Sequence, residues 1–263
     1  MKNHYPFISM FKAEHYKTKR NIAVLSFLLF PFIVTCGIFV YYAIKSGALT
    51  EAIEVNPWGY LLGRNLYILY LVYPLLVSIL VYSLCDMEYR NGNLQRLLTL
   101  PFSGNTIFAS KILFLTEIVF VSTLIAYLSF LSSGFLLSYL SPLFSFQDYD
   151  IRLVCFYFHL RLFISLLAVS SVQLWISLIF RNFVIPMGFS CFMMMFSLLT
   201  YNKEYSYLNP FAAVYKSMNE FIGYLNTSFN RYDYVCLFFI IVFLLINLFT
   251  FKWKVINNKQ LSS

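Results

Sequence analysis

An all-α integral membrane protein with six transmembrane helices is predicted by two features of the chain. Apolar residues fill 60% of its 263 positions while charged residues take 11%, and the apolar residues come in long runs cut by short polar stretches. Mean hydropathy is +0.72, whereas a soluble domain carries roughly a quarter charged residues. Backbone groups in lipid must find their hydrogen bonds within the segment, so each run is read as a spanning helix.

The chain opens on a polar stretch, residues 1–21, followed by no small-residue cleavage site, which argues against a signal peptide. Phe7, Ile8, Phe11, His15 and the stems of Lys12 and Lys19 can share one side of a helix entered after Pro6. That pattern predicts an interfacial helix lying on lipid, with a disordered basic tail as the alternative. The predicted spans are residues 22–44, 66–85, 112–140, 153–180, 183–201 and 233–251. The third and fourth exceed one bilayer crossing, so they project, tilt or hide a break near Gly134 or Pro142. Pro31, Pro74 and Pro186 inside spans predict kinks. The fourth and fifth spans meet at Arg181 and Asn182, a tight helical hairpin.

The basic residues predict the orientation. Twelve of the nineteen lie in the N-terminal stretch, the segment after the second span, the hairpin turn and the tail. The other seven are scattered over longer loops that also hold Glu51, Glu54, Asp148, Asp150, Glu204 and Glu220. By the positive-inside rule both termini are expected in the cytoplasm. The formal charge of +8 is then a topology and anionic-lipid signal, which leaves no role for nucleic acid. Cys36, Cys85, Cys155, Cys191 and Cys236 fall singly in different spans without metal or redox spacing, and read as small buried hydrophobes.

Polar residues inside spans cost roughly 2.5 to 3.5 kcal/mol for a central charge on insertion scales. Glu117 is expected to reach the interface or to pair with Lys111 or Arg181. Arg161 and His159 are expected near the outer end of the fourth span, where snorkelling accounts for them. Gln173 lies deeper and is a candidate for an interhelical hydrogen bond. No acid, base and nucleophile set surrounds any of these, and neither H-E-x-x-H nor a nucleophile elbow occurs. The missing set lowers an intramembrane enzyme well below a transport role, and a channel or scaffold subunit ranks with it.

In the outer loop, residues 202–232, Asn209-Pro210-Phe211 opens a predicted helix. Phe211, Val214, Tyr215 and Met218 would share one side of it, as a lid or as an interfacial anchor. Asn56-Pro57-Trp58 echoes it in the first outer loop. Function is most legible in residues 86–111, DMEYRNGNLQRLLTLPFSGNTIFASK. On a helix begun near Asn93, the residues Leu94, Leu97 and Leu98 make an apolar stripe, Gln95 and Arg96 face elsewhere, and Pro101 ends the element. Such a helix docks a partner or lies on lipid, and an ordinary connecting loop reads the same way.

Glu88, Gly92, Leu97, Leu98, Leu100, Pro101, Phe102, Ser103 and Lys111 together are similar to the E…G…LL-x-LP-[VF]-S…K pattern of ABC-2 type transporter permeases. Glu14-His15-Tyr16-Lys17-Thr18-Lys19-Arg20 resembles the E-x-x-K-x-K-R opening of their lantibiotic-immunity branch. Leu178 to Phe183, leading to Pro186 and Gly188, resembles the fourth-to-fifth span junction there. Asn93 departs from the small hydroxylated residue common in the family, as does Gly104-Asn105 from a usually basic position. The resemblance implies a single permease domain over residues 1–263, a type V exporter-like fold and a cytoplasmic coupling loop over residues 86–111. Glu88, Arg90, Asn93, Gln95, Arg96, Leu97 and Pro101 would contact a separate ATPase. It further implies an ABC ATPase dimer and a second permease subunit as partners, in a bacterial cytoplasmic membrane. No G-x-x-x-x-G-K-[ST] loop occurs in the chain, so no cofactor is expected in it, and ATP and Mg would be bound by the ATPase. Export of a lantibiotic or similar amphiphilic peptide is the implied activity, with another lipid-like or drug-like substrate as the alternative.

Overall fold

The computed structural model of the chain describes residues 6–44, 57–89, 93, 102–140, 152–180, 182–200, 203–214 and 229–260. Among these there is helix and no strand: α1 Pro6–Thr18, α2 Ile22–Ile44, α3 Pro57–Tyr89, α4 Gly104–Leu140, α5 Arg152–Ile179, α6 Val184–Leu199, a 3-10 turn Glu204–Leu208 and α7 Arg231–Gln260. Five are long and apolar enough to cross a membrane, namely α2, α3, α4, α5 and Arg231–Lys254 of α7, while α6 is apolar but has 16 residues. α5 is the most enclosed, packed on α3, α4 and α7. α2 lies between α3 and α4, and α1 lies across α4.

Local chemistry sets the breaks. Asn21 ends the α1 elbow and caps α2: its Oδ1 accepts from the Ala23 N–H at 2.8 Å while its Nδ2 donates to Ser83 Oγ of α3 at 2.8 Å. Pro31 has no N–H, which leaves the Phe27 carbonyl without its helical donor. Ser122 Oγ of α4 donates to that carbonyl at 2.9 Å and lies 3.1 Å from the Tyr73 hydroxyl of α3. One proline thus ties three helices together. Pro186, expected to kink the fifth span, instead occupies the first turn of α6, where backbone N–H groups have no intrahelical acceptor and nothing is lost.

Two further expectations are corrected at the end of the bundle opposite α1. Pro57 and Trp58 do not form a separate loop helix. They open α3, with Pro57 at its first position, and Trp58 is buried. The indole sits on Gly134 of α4, where an added methyl would overlap the ring. Gly134 therefore marks a close helix approach in a continuous α4, and no break. The proposed break at Pro142 lies outside the described residues. Asn209 Oδ1 caps the helical turn at residues 210–214 through the Phe211 N–H, 3.0 Å. Phe211 and Val214 are buried, with Phe211 against Phe189 of α6, so this turn is packed into the bundle and not spread on a surface. Tyr215, Met218 and the rest of that predicted helix lie outside the described residues.

Candidate functional site

The polar face of the bundle gathers where α1 crosses the end of α3 and the start of α4. Glu88, in the last turn of α3, is buried, and its Oε1 lies 2.7 Å from Lys111 Nζ of α4. Lys111 Nζ also donates to the Leu84 carbonyl at 3.2 Å. From α1, Lys17 Nζ sits 2.8 Å from Glu14 Oε1 and 4.0 Å from Glu88 Oε1. Two carboxylates and two ammonium groups thus form a neutral quartet across three helices. Neutrality matters because an unpaired charge in so enclosed a place costs several kcal/mol, roughly 3 to 5 when one partner is removed.

This quartet closes the base of the loop joining α3 to α4. Asn93 belongs to the same base: its Nδ2 donates to the Met87 carbonyl at 3.0 Å and satisfies one of the C-terminal acceptors of α3. Arg90, Gln95, Arg96, Leu97 and Pro101 lie outside the described residues. Glu88 itself turns into the bundle, so a partner pressing on the loop would reach it through the quartet.

Two more contacts tie α1 to α4. His15 Nε2 lies 3.1 Å from Glu117 Oε2, and the His15 ring stacks edge-on between Phe11 and Phe114 at 4.8 and 4.9 Å. Glu117 thus pairs with His15 and not with Lys111, which is taken by Glu88. Arg181, the other partner considered for it, lies outside the described residues. At the same end, Lys254 of α7 and Tyr89 of α3 both donate to the Leu178 carbonyl, which satisfies the C-terminus of α5.

At the far end Arg161 does not snorkel. It is buried, with Nε 3.5 Å from Asp233 Oδ2 of α7. Asp233 also accepts from the Asn230 N–H at 2.8 Å and so fixes the start of α7. The reason is tertiary: α7 lies along α5 and brings an acid in its first turn against the arginine. His159 is also buried and does not snorkel: its ring packs against Tyr127 and Phe130 of α4, and its Nδ1 is bonded to the Cys155 carbonyl at 2.8 Å. Gln173 is fully buried as expected, yet neither amide atom finds a hydrogen-bond partner among the described residues. Within the buried stretch of α5 an interhelical bond comes instead from Asn247 of α7, whose Nδ2 donates to the Ser171 carbonyl at 2.9 Å. Sequence reasoning missed Asp233 and Asn247. An acid at the start of an apolar run and an amide in its midst were the available signals. No group of His, Cys, Asp and Glu suited to a metal occurs among the described residues.

These features define a multi-pass helical membrane protein whose charged contacts are gathered at the two ends of the bundle. Its family follows from comparison. The family model described as ABC-2 family transporter protein matches residues 10–197, and the chain belongs to that family as an ABC-2 type permease subunit. It is similar to the bacitracin transport permease protein BCRB of Bacillus licheniformis, with 30% identity over 156 residues that cover 57% of this chain and 70% of the relative. No solved structure matches. Members of the family are transport subunits, and the family implies an ABC ATPase partner.

Proposed function

We propose that the chain is a six-span permease that, driven by a dimer of a separate ABC ATPase and paired with a second permease subunit, removes a membrane-active peptide antibiotic of the bacitracin or lantibiotic kind from the bacterial cytoplasmic membrane. The observation that carries this reading is the 30% identity to a bacitracin transport permease protein. Both termini, α1 and the quartet lie on the cytoplasmic side, and α6 is the fifth span, crossing with its flanking residues. ATP and Mg belong to the ATPase, and this chain binds no cofactor of its own.

Mechanistically, closure of the ATPase dimer presses on the loop after α3 through Arg90, Gln95, Arg96, Leu97 and Pro101. Glu88 and Asn93, at the loop base, pass the movement to α1 and α4. An amphiphilic peptide partitions with its apolar face at the membrane interface, so a lipid-accessible path between two permeases suffices and no aqueous pore is needed. Deletion of the gene is expected to raise sensitivity to one or a few such peptides and to increase the peptide retained by cells. Unchanged sensitivity to bacitracin and a panel of lantibiotics, in a strain that demonstrably expresses the transporter, would remove this substrate class and leave a lipid-like or drug-like substrate in its place.

A further inference from the structure

At the elbow where α1 turns into α2 a cleft of about 450 Å³ opens between α1, α2 and α4. Its lining joins Lys19 just past the end of α1 and Glu117 of α4 to the apolar side chains of Leu25 and Leu28 of α2 and Val121 of α4. Glu117 is part-exposed, and its ion-pair partner among the described residues is His15, a cation only when protonated. Lys19 is exposed and forms no ion pair among the described residues. An anionic and a cationic side chain thus line one cleft together with the apolar faces of two helices.

We propose that this cleft is a binding site for one aminophospholipid, its ammonium on Glu117, its phosphate toward Lys19 and an acyl chain along Leu25, Leu28 and Val121. The inference rests on the proposed function only in assigning that lipid to the inner leaflet. Charge complementarity selects the class. An anionic lipid has a partner for Lys19 and none for Glu117. A polycationic peptide satisfies Glu117 and is repelled by Lys19. A choline head carries both charges, but its quaternary nitrogen has no N–H to donate, whereas a primary ammonium donates three. Seated there, the lipid wedges the elbow between α1 and α2. It holds α1 in the position in which Glu14 and Lys17 complete the quartet.

The test uses the full chain purified with its ATPase in detergent and offered dioleoyl phosphatidylethanolamine, phosphatidylcholine or phosphatidylglycerol, with bound lipid counted by native mass spectrometry. The ethanolamine lipid should be retained on the order of tenfold over the other two, about what one charge-assisted hydrogen bond supplies. Glu117→Gln should cut its retention to the choline level, and Leu25→Trp, which fills the cleft, should abolish it. Glu204→Gln in the 3-10 turn should change nothing. Equal retention of ethanolamine and choline lipids by the parent, or an undiminished preference in Glu117→Gln, overturns the proposal. If Glu117→Gln fails to fold, a retained lipid in Leu25→Trp overturns it instead. Binding in detergent does not depend on the leaflet. The topology is read separately by labelling Tyr16→Cys, in a chain lacking the exposed Cys191, with an impermeant thiol reagent. Labelling of intact cells would refute the cytoplasmic placement of α1 and leave the lipid result standing.

Discussion

At the scale of the residue, Lys111 shows how a membrane protein keeps a charge inside. Its ammonium is enclosed, 2.7 Å from the Glu88 carboxylate and 3.2 Å from the Leu84 carbonyl. Lys111→Met leaves that carboxylate buried without its close partner, and a cost of about 3 to 5 kcal/mol is expected. Replacing both members by apolar residues of similar size removes the stranded charge, so Glu88→Leu with Lys111→Met should recover much of the loss. Thermal unfolding of the detergent-purified variants decides the matter. A double variant as unstable as Lys111→Met alone would show that the pair does more than neutralise itself. Glu88 and Lys111 were both legible in the sequence as anchors of one loop. Their pairing was not, because twenty-two intervening residues separate them and only the return of α4 along α3 brings them together. Glu14 and Lys17 were legible as a motif, but nothing in the motif indicates that they complete a neutral set. Arg161 was misread for the same reason: its acid, Asp233, lies on a helix far along the chain.

At the scale of the element, the spacing of α3 and α4 is set by a ring on a glycine. Trp58 rests on Gly134 and packs against Phe130 and Phe135 at 5.8 and 5.7 Å between centroids. Packing of this kind supplies helix association in a membrane, where lipid is as apolar as the helix faces. Gly134→Ala should destabilise by about 1 to 3 kcal/mol through overpacking, and adding Trp58→Leu should relieve it. A lower unfolding temperature for Gly134→Ala that the second change raises again is the expected pattern. Equal stability of Gly134→Ala and parent would show that the helices part freely there. The helices themselves were largely legible from their apolar length, and the start of α3 was not. Gly59, Gly63, Arg64 and Asn65 dilute the hydropathy of its first turns, so the apolar run that predicts the span starts at residue 66 while the helix begins at Pro57. Burial of Trp58 and the bond from Asn65 Nδ2 to the Leu61 carbonyl, 3.0 Å, hold those turns helical.

At the scale of the whole molecule, an energy-driven transport subunit without a phosphate loop must receive its work through a surface, and the quartet ties the loop between α3 and α4 to both α1 and the spans. Lys17 is the member best placed to test this, since it is partly exposed and bridges Glu14 of its own helix to Glu88 of α3. Its removal leaves the close Glu88–Lys111 pair in place but strands the buried Glu14 carboxylate, so Lys17→Met is made together with Glu14→Gln, which keeps the site neutral while the link from loop to α1 is cut. Co-expressed with the ATPase, the parent permease should give a complex that survives detergent extraction, and the permease purified alone should hydrolyse no ATP. The double variant Glu14→Gln with Lys17→Met should assemble in parental yield, yet show a several-fold weaker stimulation of ATP hydrolysis by the proposed peptide substrate. Arg96→Ala, on the loop proposed to meet the ATPase, should instead lower the yield of the complex. The two readouts, assembly and stimulation, separate contact from transmission. Parental stimulation in that double variant would mean that α1 is carried passively and that the movement passes into α4 through Lys111 alone.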